Sequence, residues 1–457
     1  MEKVTSKLAE FTTNLNYQNL SEETILQCKK CLLDFLGVAA CGMGNISSKA
    51  MVKCVESMAP SGVFSLIGVR KKTSVAQYAA LANGTAAHSL ELDDVHEEAS
   101  IHPGVGIFPA ALAAAQLTNC SGKNFIAGVI AGYEIGVRLG IGLRPEKSYK
   151  RGFHPTGLCD VFGAAAAVSK ILNLSHGELI NAFGLAGSMA SGLHEYQADG
   201  SWSKRLHAGI AAQNGLLACL LAREGFKGPA TVIEGREGFL QAFSEAPAIE
   251  EVCRDLGTSY AINRISHKVH ACCRYMHAPI DGLIKIVKEN NLCPADINKV
   301  QLGILDVAFP IIVEPISIKL YPKNSVSAQF SIFYGAAISI LKMKASLGEF
   351  SEENISSSEV KELMQRIQCI RDQRLDDLFP KTWPATVKIE TFRGDSFDMF
   401  VDNPRGSPNN PFTWEELIDK FKFLTQGFNS YQQQSVIINT VDQLEKQIDL
   451  SILFEAI

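Results

Sequence analysis

Apolar and polar positions alternate with a helical period over the first half of the chain. From Leu20 to about Ser259, segments rich in Ala and Gly repeat at the spacing of one helix face. Such small residues let helices pack closely, so we expect a multihelical core. Ser175 and Glu178 form a capping box that opens one helix. The predicted helices are Ser74–Leu90, Gly106–Thr118, Asn124–Gly142, Val161–Leu172, His176–Met189 and His207–Glu224.

The pattern changes after about Tyr260. Lys299–Leu305 alternates like a strand, and two further alternating runs flank the turn Arg393-Gly394-Asp395. This pattern is typical of helices packed on a sheet. The runs of the hairpin are Thr386–Phe392 and Ser396–Val401, and the helices predicted before it are Val326–Lys344 and Ser358–Ile367.

A linker rich in Pro, Gly and Asn, 402–412, follows, and Thr413 with Glu416 then caps a helix. We expect the last helices to rejoin the first domain. The predicted fold is therefore mainly α. A helical domain, 1–264 completed by 405–457, carries a smaller α+β lid domain, 265–404.

Charge and composition exclude several partners. The net charge of -5 provides no basic field for nucleic acid or an anionic membrane. The opening segment has no apolar signal region, and Phe125–Leu143 carries Glu134 and Arg138, which indicates a buried helix. With 12 cysteines and no secretory signal, reduced thiols in the cytoplasm are expected.

Four segments carry candidate chemistry. Asn83–His96 ends in paired acids and is followed by a loop with His102. Arg151–Gly157 places His154 before a proline and an Ala-rich helix. Ser201–Gly209 brings cations to a helix start, where free N–H groups also attract anions. Ser266–His277 contains three His, two Cys, a Lys and an Arg, and it lies close to the point where the helical pattern of the first half ends.

Each segment alone also fits a structural role, and two metal hypotheses stay open beside it. Asp93, Asp94, His96 and His102 could hold a metal, and the last segment could hold zinc. Carboxylate-rich metal sites usually recruit more acids, however, and adjacent Cys272 and Cys273 suit one tetrahedral ion poorly. Together the segments indicate proton abstraction beside a carboxylate.

The ordered motifs NGTAAHSLELDDVHEEASIHPG, FHPTG, DGSWSKRLHAGIAA, GFKGPATVIEGREGF, HACCRYMHAPID and PRGSPNNPFTWEEL resemble those of the MmgE/PrpD family from about residue 5 to 450. The resemblance implies a helical domain with an α+β lid, a homodimer, and a cleft that needs neither metal nor organic cofactor. The family includes 2-methylcitrate dehydratase, cis-aconitate decarboxylase and iminodisuccinate epimerase.

By the same resemblance, His102 and His154 handle the substrate proton. Asp93 orients an active-site group, and Lys204 and Lys268 hold substrate carboxylates. The remaining predicted substrate contacts are Glu91, Asp94, His96, Arg205, His207, Arg274 and His277. Three positions depart from the cis-aconitate decarboxylase pattern. This chain has Glu91 where that pattern has an Asp, Val95 where it has a Thr, and Phe309 where it has a Tyr.

The loss of two hydroxyls removes contacts that discriminate substrates. The sequence therefore predicts a lyase of a small di- or tricarboxylic acid, with 2-methylcitrate dehydration as the first choice. The alternatives are an iminodisuccinate-type epimerase, a cis-aconitate decarboxylase-like enzyme, which the departures disfavour, and a degenerate member that only binds a metabolite. A zinc hydrolase is a further rival.

Overall fold

The computed structural model of the protein describes residues 3–69 and 71–457, and most of them are helical. The helices are α1 Val4–Asn14, α2 Glu22–Met43, α3 Ile46–Met58, α4 Ala76–Ala87, α5 Pro103–Thr118, α6 Gly122–Leu143, α7 Pro145–Lys150, α8 Pro155–Ile171, α9 His176–Ser188, α10 Ser203–Arg223, α11 Phe239–Phe243, α12 Ile249–Val252, α13 His277–Glu289, α14 Ile316–Lys319, α15 Ser325–Gln329, α16 Ile332–Lys342, α17 Glu352–Ser356, α18 Ser358–Met364, α19 Gln373–Asp376, α20 Trp414–Thr425, α21 Tyr431–Asp442 and α22 Ser451–Ala456.

Eight short strands complete the described elements. They are β1 Pro60–Leu66, β2 Lys71–Thr73, β3 Val95–His96, β4 Ile265–Ser266, β5 Ile297–Ile304, β6 Ile367–Arg371, β7 Ala385–Thr391 and β8 Ser396–Val401. The last four form one sheet in the order β6-β5-β7-β8, in which β5 and β6 are parallel and the other pairs antiparallel.

Small residues bring the helices of the first core close together, as their frequency predicts. A side chain on Gly132 of α6 would lie 2.8 Å from the carbonyl oxygen of Gly163 in α8, and one on Gly84 of α4 would lie 2.9 Å from the Cα of Gly209 in α10. The helices α4, α5, α6, α8 and α10 therefore pack almost backbone to backbone.

Two apolar cores divide the molecule. The first contains side chains from Val4 to Ile265 together with Leu417–Ala456, so the terminal helices rejoin the helical part. The second lies mainly between Ala271 and Ile389, around the sheet, α13 and α16. The two parts are joined by a β-bridge pair, in which Val95 of β3 pairs with Ser266 of β4.

The fold class is confirmed, with local differences. The predicted helix Val326–Lys344 is interrupted at Phe330, because the Ser331 hydroxyl accepts a hydrogen bond from Tyr334 N–H and starts α16 anew. The predicted helix Ser358–Ile367 ends at Met364, and the edge strand β6 begins three residues later. The β1–β2 hairpin and β6 were not predicted from the sequence. The exact domain boundaries stay a prediction.

One helix in the described part of the chain, α6, is long and apolar enough to cross a membrane. Within this molecule 94% of its apolar window is buried, with Glu134 and Arg138 paired at 2.6 Å. The interpretation of a core helix agrees with this burial.

Candidate active site

A narrow cavity lies between the helical part and the lid, with about 430 Å³ of space between its atoms when open solvent is included. It combines histidines, cations, tyrosines and apolar side chains. Its walls are Glu91, Val95, Ser100, His102, Tyr149, His154, His194, Tyr196, Lys204, Cys273, Arg274, Tyr275, Ile311, Phe330 and Trp383. A wider cavity beside it, of about 1540 Å³ including open solvent, shares Tyr149, His194 and Ile311, so it offers a route inwards.

His102 and His154 occupy equivalent places on two helices. Each is the residue before the first turn, with a proline as the first helical residue, in α5 and α8. A residue before proline is kept out of the helical region, and the two histidines have non-helical ψ values of 77° and 106° respectively. The proline after each histidine therefore restricts the backbone where the preceding loop ends, and both imidazoles lie on the cavity wall.

The paired acids point in different directions. Asp93 Oδ2 lies 2.7 Å from His88 Nδ1 and 3.1 Å from His102 Nδ1. Asp94 accepts hydrogen bonds from the Tyr133 hydroxyl at 2.6 Å and from Gly104 N–H at 3.0 Å. Asp93 therefore lies where it can orient His102, whereas the side chain of Asp94 holds the start of α5.

One carboxylate holds the two lysines of the site. Glu91 contacts Lys204 Nζ through Oε1 and Lys268 Nζ through Oε2, the latter at 3.1 Å. Lys268 is fully buried and also lies 3.9 Å from Asp93. Lys204 lines the cavity and stands 5.3 Å from the Phe330 ring centroid. The two ammonium charges are thus balanced inside the protein by Glu91 and Asp93.

Arg274 supplies a third cation to the cavity wall. Its guanidinium contacts Glu97 Oε1 at 3.0 and 3.1 Å and His277 Nδ1 at 3.1 Å. Glu97 also accepts a hydrogen bond from Ser266 at 2.9 Å. Arg274 is therefore held rigidly on the lid side, and His277 lies behind it.

Imidazoles cluster around His154. Its Nδ1 lies 3.1 Å from His207 Nδ1, and its ring is nearly parallel to that of His88 with 5.7 Å between the centroids. The His194 ring centroid is also 5.7 Å away. Two nitrogens that share one hydrogen bond need one proton between them, so at least one of the pair His154–His207 is neutral.

Burial is the main influence on these groups. It lowers the pKa of His88 and His207 to about 4 and that of His194 to about 3. Burial also lowers the pKa of His102, although the facing Asp93 opposes the shift. The pKa of Asp93 lies well below its usual range, because His88, His102 and Lys268 outweigh its burial. The empty site therefore keeps its histidines neutral and Asp93 ionised at pH 7.

His88, Asp93 and His102 also present donor atoms within 4.8 Å of one another, a spacing that could hold a metal ion. The nitrogens concerned already face the Asp93 carboxylate, and the Lys268 ammonium lies 3.9 Å from the same side chain. A positive charge at that distance opposes a bound cation. The donor set therefore fits a metal poorly.

The structure brings most predicted residues to one place. Those on the cavity wall are Glu91, His102, His154, Lys204 and Arg274. Asp93, Asp94, Lys268, His207 and His277 stand directly behind them, each in contact with a wall residue. Their proposed roles stay predictions.

Two predicted contacts do not reach the cavity. His96 accepts a hydrogen bond from Ala99 N–H at 3.2 Å and borders a polar cleft on another side. Arg205 bonds Asn45 and Ser47, both at 2.9 Å, at the start of α3. Arg205 follows the wall residue Lys204 on a helix, and His96 follows Val95 on a strand. Adjacent residues of a helix or strand project to different faces, which explains both differences.

Phe309, expected to replace a substrate-facing tyrosine, does not line the cavity. It is buried in the lid with Arg371 4.2 Å from its ring centroid, and Ile311 takes the place on the wall. Val95 does line the cavity. The loss of polar contacts thus rests on Val95 alone.

Sequence reasoning missed several wall residues: Ser100, Tyr149, His194, Tyr196, Cys273, Tyr275, Ile311, Phe330 and Trp383. His88 and Tyr275 lie inside motifs that were recognised, so their position was a usable signal. Nothing in the local sequence marks Tyr149 or Trp383, because their place depends on how the lid meets the helical part.

A cavity between two domains that gathers imidazoles and cations is typical of an enzyme site that binds an anion. Comparison with known proteins agrees with this class. The model of the MmgE/PrpD N-terminal domain matches residues 6–252, and that of the MmgE/PrpD C-terminal domain matches 270–446. The chain belongs to the MmgE/PrpD family.

Among its relatives is the cis-aconitate decarboxylase-like protein oryM of Aspergillus oryzae, 27% identical over 99% of this chain and 97% of that protein. The cis-aconitate decarboxylase of Aspergillus terreus is 27% identical over 99% and 95%, and that of Homo sapiens 25% over 99% and 94%. These relatives confirm the prediction of a lyase at the level of enzyme class. They favour the decarboxylase alternative over dehydration of 2-methylcitrate.

Proposed function

We propose that the protein is a carboxy-lyase that removes CO2 from a small unsaturated polycarboxylic acid, as the names of its relatives describe for cis-aconitate. One observation carries the proposal: His102, His154, Lys204 and Arg274 share a single buried cavity. Its support from the comparisons is a likeness to named decarboxylases along 99% of the chain.

The chemistry needs one proton and a place for negative charge. In an acid whose leaving carboxylate is one carbon away from a double bond, the electrons of the breaking bond form a new double bond. The electrons of the old double bond take up a proton at the far carbon. CO2 leaves and a single proton enters, so a protein group must donate it. Cations beside the remaining carboxylates stabilise the charge that develops between these events.

His102 is the better proton donor of the two histidines. Asp93 lies 3.1 Å from its Nδ1 and stabilises the imidazolium form, whereas His154 faces another imidazole and the Lys204 charge. A bound polyanion adds negative charge and raises the pKa of nearby histidines. We propose that substrate binding draws a proton onto His102, and that His154 stays neutral and accepts or donates a hydrogen bond.

A second candidate is dehydration of a hydroxy acid of the 2-methylcitrate type. The same two imidazoles favour it, because a neutral His154 suits a base and a protonated His102 suits an acid that releases water. Epimerisation would use the same pair on opposite faces of one carbon. The cytoplasmic homodimer expected from the sequence stays a prediction in each case.

The test is incubation of the purified protein with cis-aconitate, 2-methylcitrate and substituted succinates in deuterium oxide. We expect CO2 release with one deuterium incorporated at carbon, followed by NMR. Loss of water without CO2 would indicate the dehydratase, and exchange without net reaction the epimerase. A protein that binds these acids but neither converts nor exchanges them would contradict the proposal.

The variant His102→Asn should lose at least roughly 100-fold in kcat, since general acid catalysis contributes that much. His176→Asn, at an exposed histidine bonded to Ser6, is the matched control and should keep wild-type turnover. Elemental analysis and treatment with a chelator test whether His88, Asp93 and His102 hold a metal ion that activity requires. Activity lost on chelation and restored by one metal would replace the proposed mechanism.

A further inference from the structure

Two aromatic side chains of the lid form one face of the cavity. Tyr275 lies in the turn Arg274–Met276, and Trp383 precedes β7. Their rings stack at 11° with 3.8 Å between the centroids, and only 7% and 4% of each residue is exposed. Stacking of this kind fixes both rings, so the polar atom that each carries has a defined position.

Each ring has a buried polar atom without a hydrogen-bond partner in the described part of the chain. These atoms are the Tyr275 hydroxyl and the Trp383 Nε1. Burial raises the pKa of Tyr275, and the nearby Ser100 side chain lowers it as a hydrogen-bond partner. That contact does not have the geometry of a normal hydrogen bond, and the Ser100 hydroxyl is engaged with Tyr149 at 2.7 Å. Buried donors in native proteins are rarely left unsatisfied, because each one costs stability.

The two cations of the cavity wall each have an acid as partner. Lys204 is paired with Glu91, and Arg274 with Glu97. Val95, which contributes no polar atom, stands where a hydroxyl was expected from the family pattern. Beside the Nη2 of Arg274, which faces Glu97 as an ion pair, the O–H of Tyr275 and the N–H of Trp383 are the buried wall donors without a hydrogen bond among the described residues. The group that satisfies them is an oxygen acceptor.

We propose that Tyr275 and Trp383 are a donor pair that binds one carboxylate oxygen of the substrate and so determines which acids the enzyme accepts. This inference rests on the proposed function, because it takes the ligand to be a polycarboxylate. Both donors belong to the lid, whereas His102, His154 and Lys204 belong to the helical part. A substrate held by both sides therefore stabilises the lid in its closed position.

The test compares Tyr275→Phe with wild type on cis-aconitate and on an analogue that lacks one carboxylate. One hydrogen bond to a charged group corresponds to a change of about tenfold or more. We expect KM for cis-aconitate to rise by roughly tenfold with kcat within about threefold, and KM for the analogue to stay unchanged. Trp383→Phe should likewise raise KM for cis-aconitate and leave KM for the analogue unchanged. The double variant should raise KM little further, because either single variant already releases the carboxylate oxygen.

The thermal midpoint of the ligand-free protein separates this role from a structural one. Removing an unsatisfied buried hydroxyl should leave the Tm unchanged or raise it. The matched control is Tyr334→Phe, which removes a lid hydroxyl bonded to the Glu349 carbonyl at 2.5 Å. It should lower the Tm and leave KM as in wild type.

Equal KM values for wild type and Tyr275→Phe on both acids would overturn the inference and leave the proposed function standing. So would a lowered Tm of Tyr275→Phe with unchanged KM, since that pattern indicates a structural hydroxyl. Absence of wild-type turnover on every acid would instead remove the proposed function, and the donor pair would fall with it.

Discussion

At the scale of single residues, Glu91 is the least ordinary part of the site. It is 5% exposed, has a left-handed φ of 55° and touches both Lys204 and Lys268. Burial raises its pKa, but the two ammonium groups outweigh burial and hold the pKa far below the usual range. In the proposed function, Glu91 takes the place beside the two lysines that a substrate carboxylate would compete for.

Removing this charge should weaken the empty protein and strengthen its response to ligand. Glu91→Gln leaves two buried ammonium groups without their shared counter-ion, which costs about 3 kcal/mol of unfolding free energy. A polycarboxylate then replaces the missing charge. We expect a lower Tm without ligand and a larger rise in Tm with cis-aconitate than in wild type, measured by scanning calorimetry.

Glu390→Gln provides the matched control, because Glu390 forms a solvent-exposed pair with Lys388. Surface pairs of this kind contribute less than about 1 kcal/mol, so both Tm values should stay near wild type. An unchanged Tm for Glu91→Gln would show that the lysines do not need Glu91 as a counter-ion.

Single residues also show which parts of the site can be predicted from the sequence. The side chains of adjacent Asp93 and Asp94 diverge, one to His102 and the other to Tyr133, because neighbouring side chains outside a helix point apart. The difference between His96 and His102 could not be seen in advance. Both follow the acids within one motif, but the β-bridge of His96 with Ile265 turns its ring away from the cavity.

At the scale of elements, the two histidines proposed to handle the proton occupy the same kind of position, directly before a proline that begins a helix. His102 precedes Pro103 and α5, and His154 precedes Pro155 and α8. The proline fixes the first helical φ and restricts the histidine before it, so both imidazoles are held before substrate arrives.

Replacing the proline that begins one of these helices should affect catalysis more than stability. Pro155→Ala frees the backbone of the unfolded chain at a cost of about 0.4–1 kcal/mol. We expect kcat to fall roughly 3- to 10-fold, since small misplacements of a reacting group are costly. Enzyme assays and Tm measurements check both values.

Pro145→Ala tests whether the effect belongs to the histidine. Pro145 is likewise the first residue of a helix, α7, but Arg144 precedes it. Its loss should cost similar stability and leave kcat unchanged. A comparable fall in kcat for both variants would show that the His–Pro pairs have no special role.

The elements that sequence reasoning located best are those with strong local signals. The capping box at Ser175 starts α9 one residue later, and Thr413 with Glu416 opens α20. The hairpin of β7 and β8 was predicted because β7 alternates buried and partly buried positions along its length. Strand β6 was missed, because its pairing with β5 is parallel and long-range and leaves most of its residues exposed.

At the scale of the whole molecule, the cavity is a product of two separate cores. Tyr275, Ile311 and Trp383 come from the lid, and Tyr149 and His194 from the helical part. The way the lid meets the helical part fixes these neighbours, and no local period encodes it. Motif order therefore identified the histidines and lysines, while the specificity-determining wall emerged from the structure.

Several histidines are buried in neutral form. Burial is the leading cause that lowers the pKa of His96, His194 and His267 to about 3 and that of His88 and His207 to about 4. Unfolded histidine titrates near pH 6.5. Between these values the unfolded chain binds protons that the folded protein does not, so stability falls as the pH drops below about 6.5.

A few acids oppose this trend. Burial raises the pKa of Asp94 to about 7, so between roughly pH 4 and 7 the folded protein holds a proton on it that the unfolded chain releases. Each group contributes up to about 1.4 kcal/mol per pH unit, and the histidines outnumber such acids. We expect the Tm to decrease steadily from pH 7.5 to 4.5 at constant ionic strength.

His96→Asn isolates one of these contributions away from the cavity. The asparagine oxygen can accept the hydrogen bond that Ala99 N–H donates to His96 Nδ1, but it does not titrate. This variant should therefore lose less stability than wild type between pH 6.5 and 4.5, whereas His176→Asn at the surface should follow wild type. If the Tm of His96→Asn fell as steeply as that of wild type, His96 would have to bind its proton in the folded protein, and burial would not control its charge.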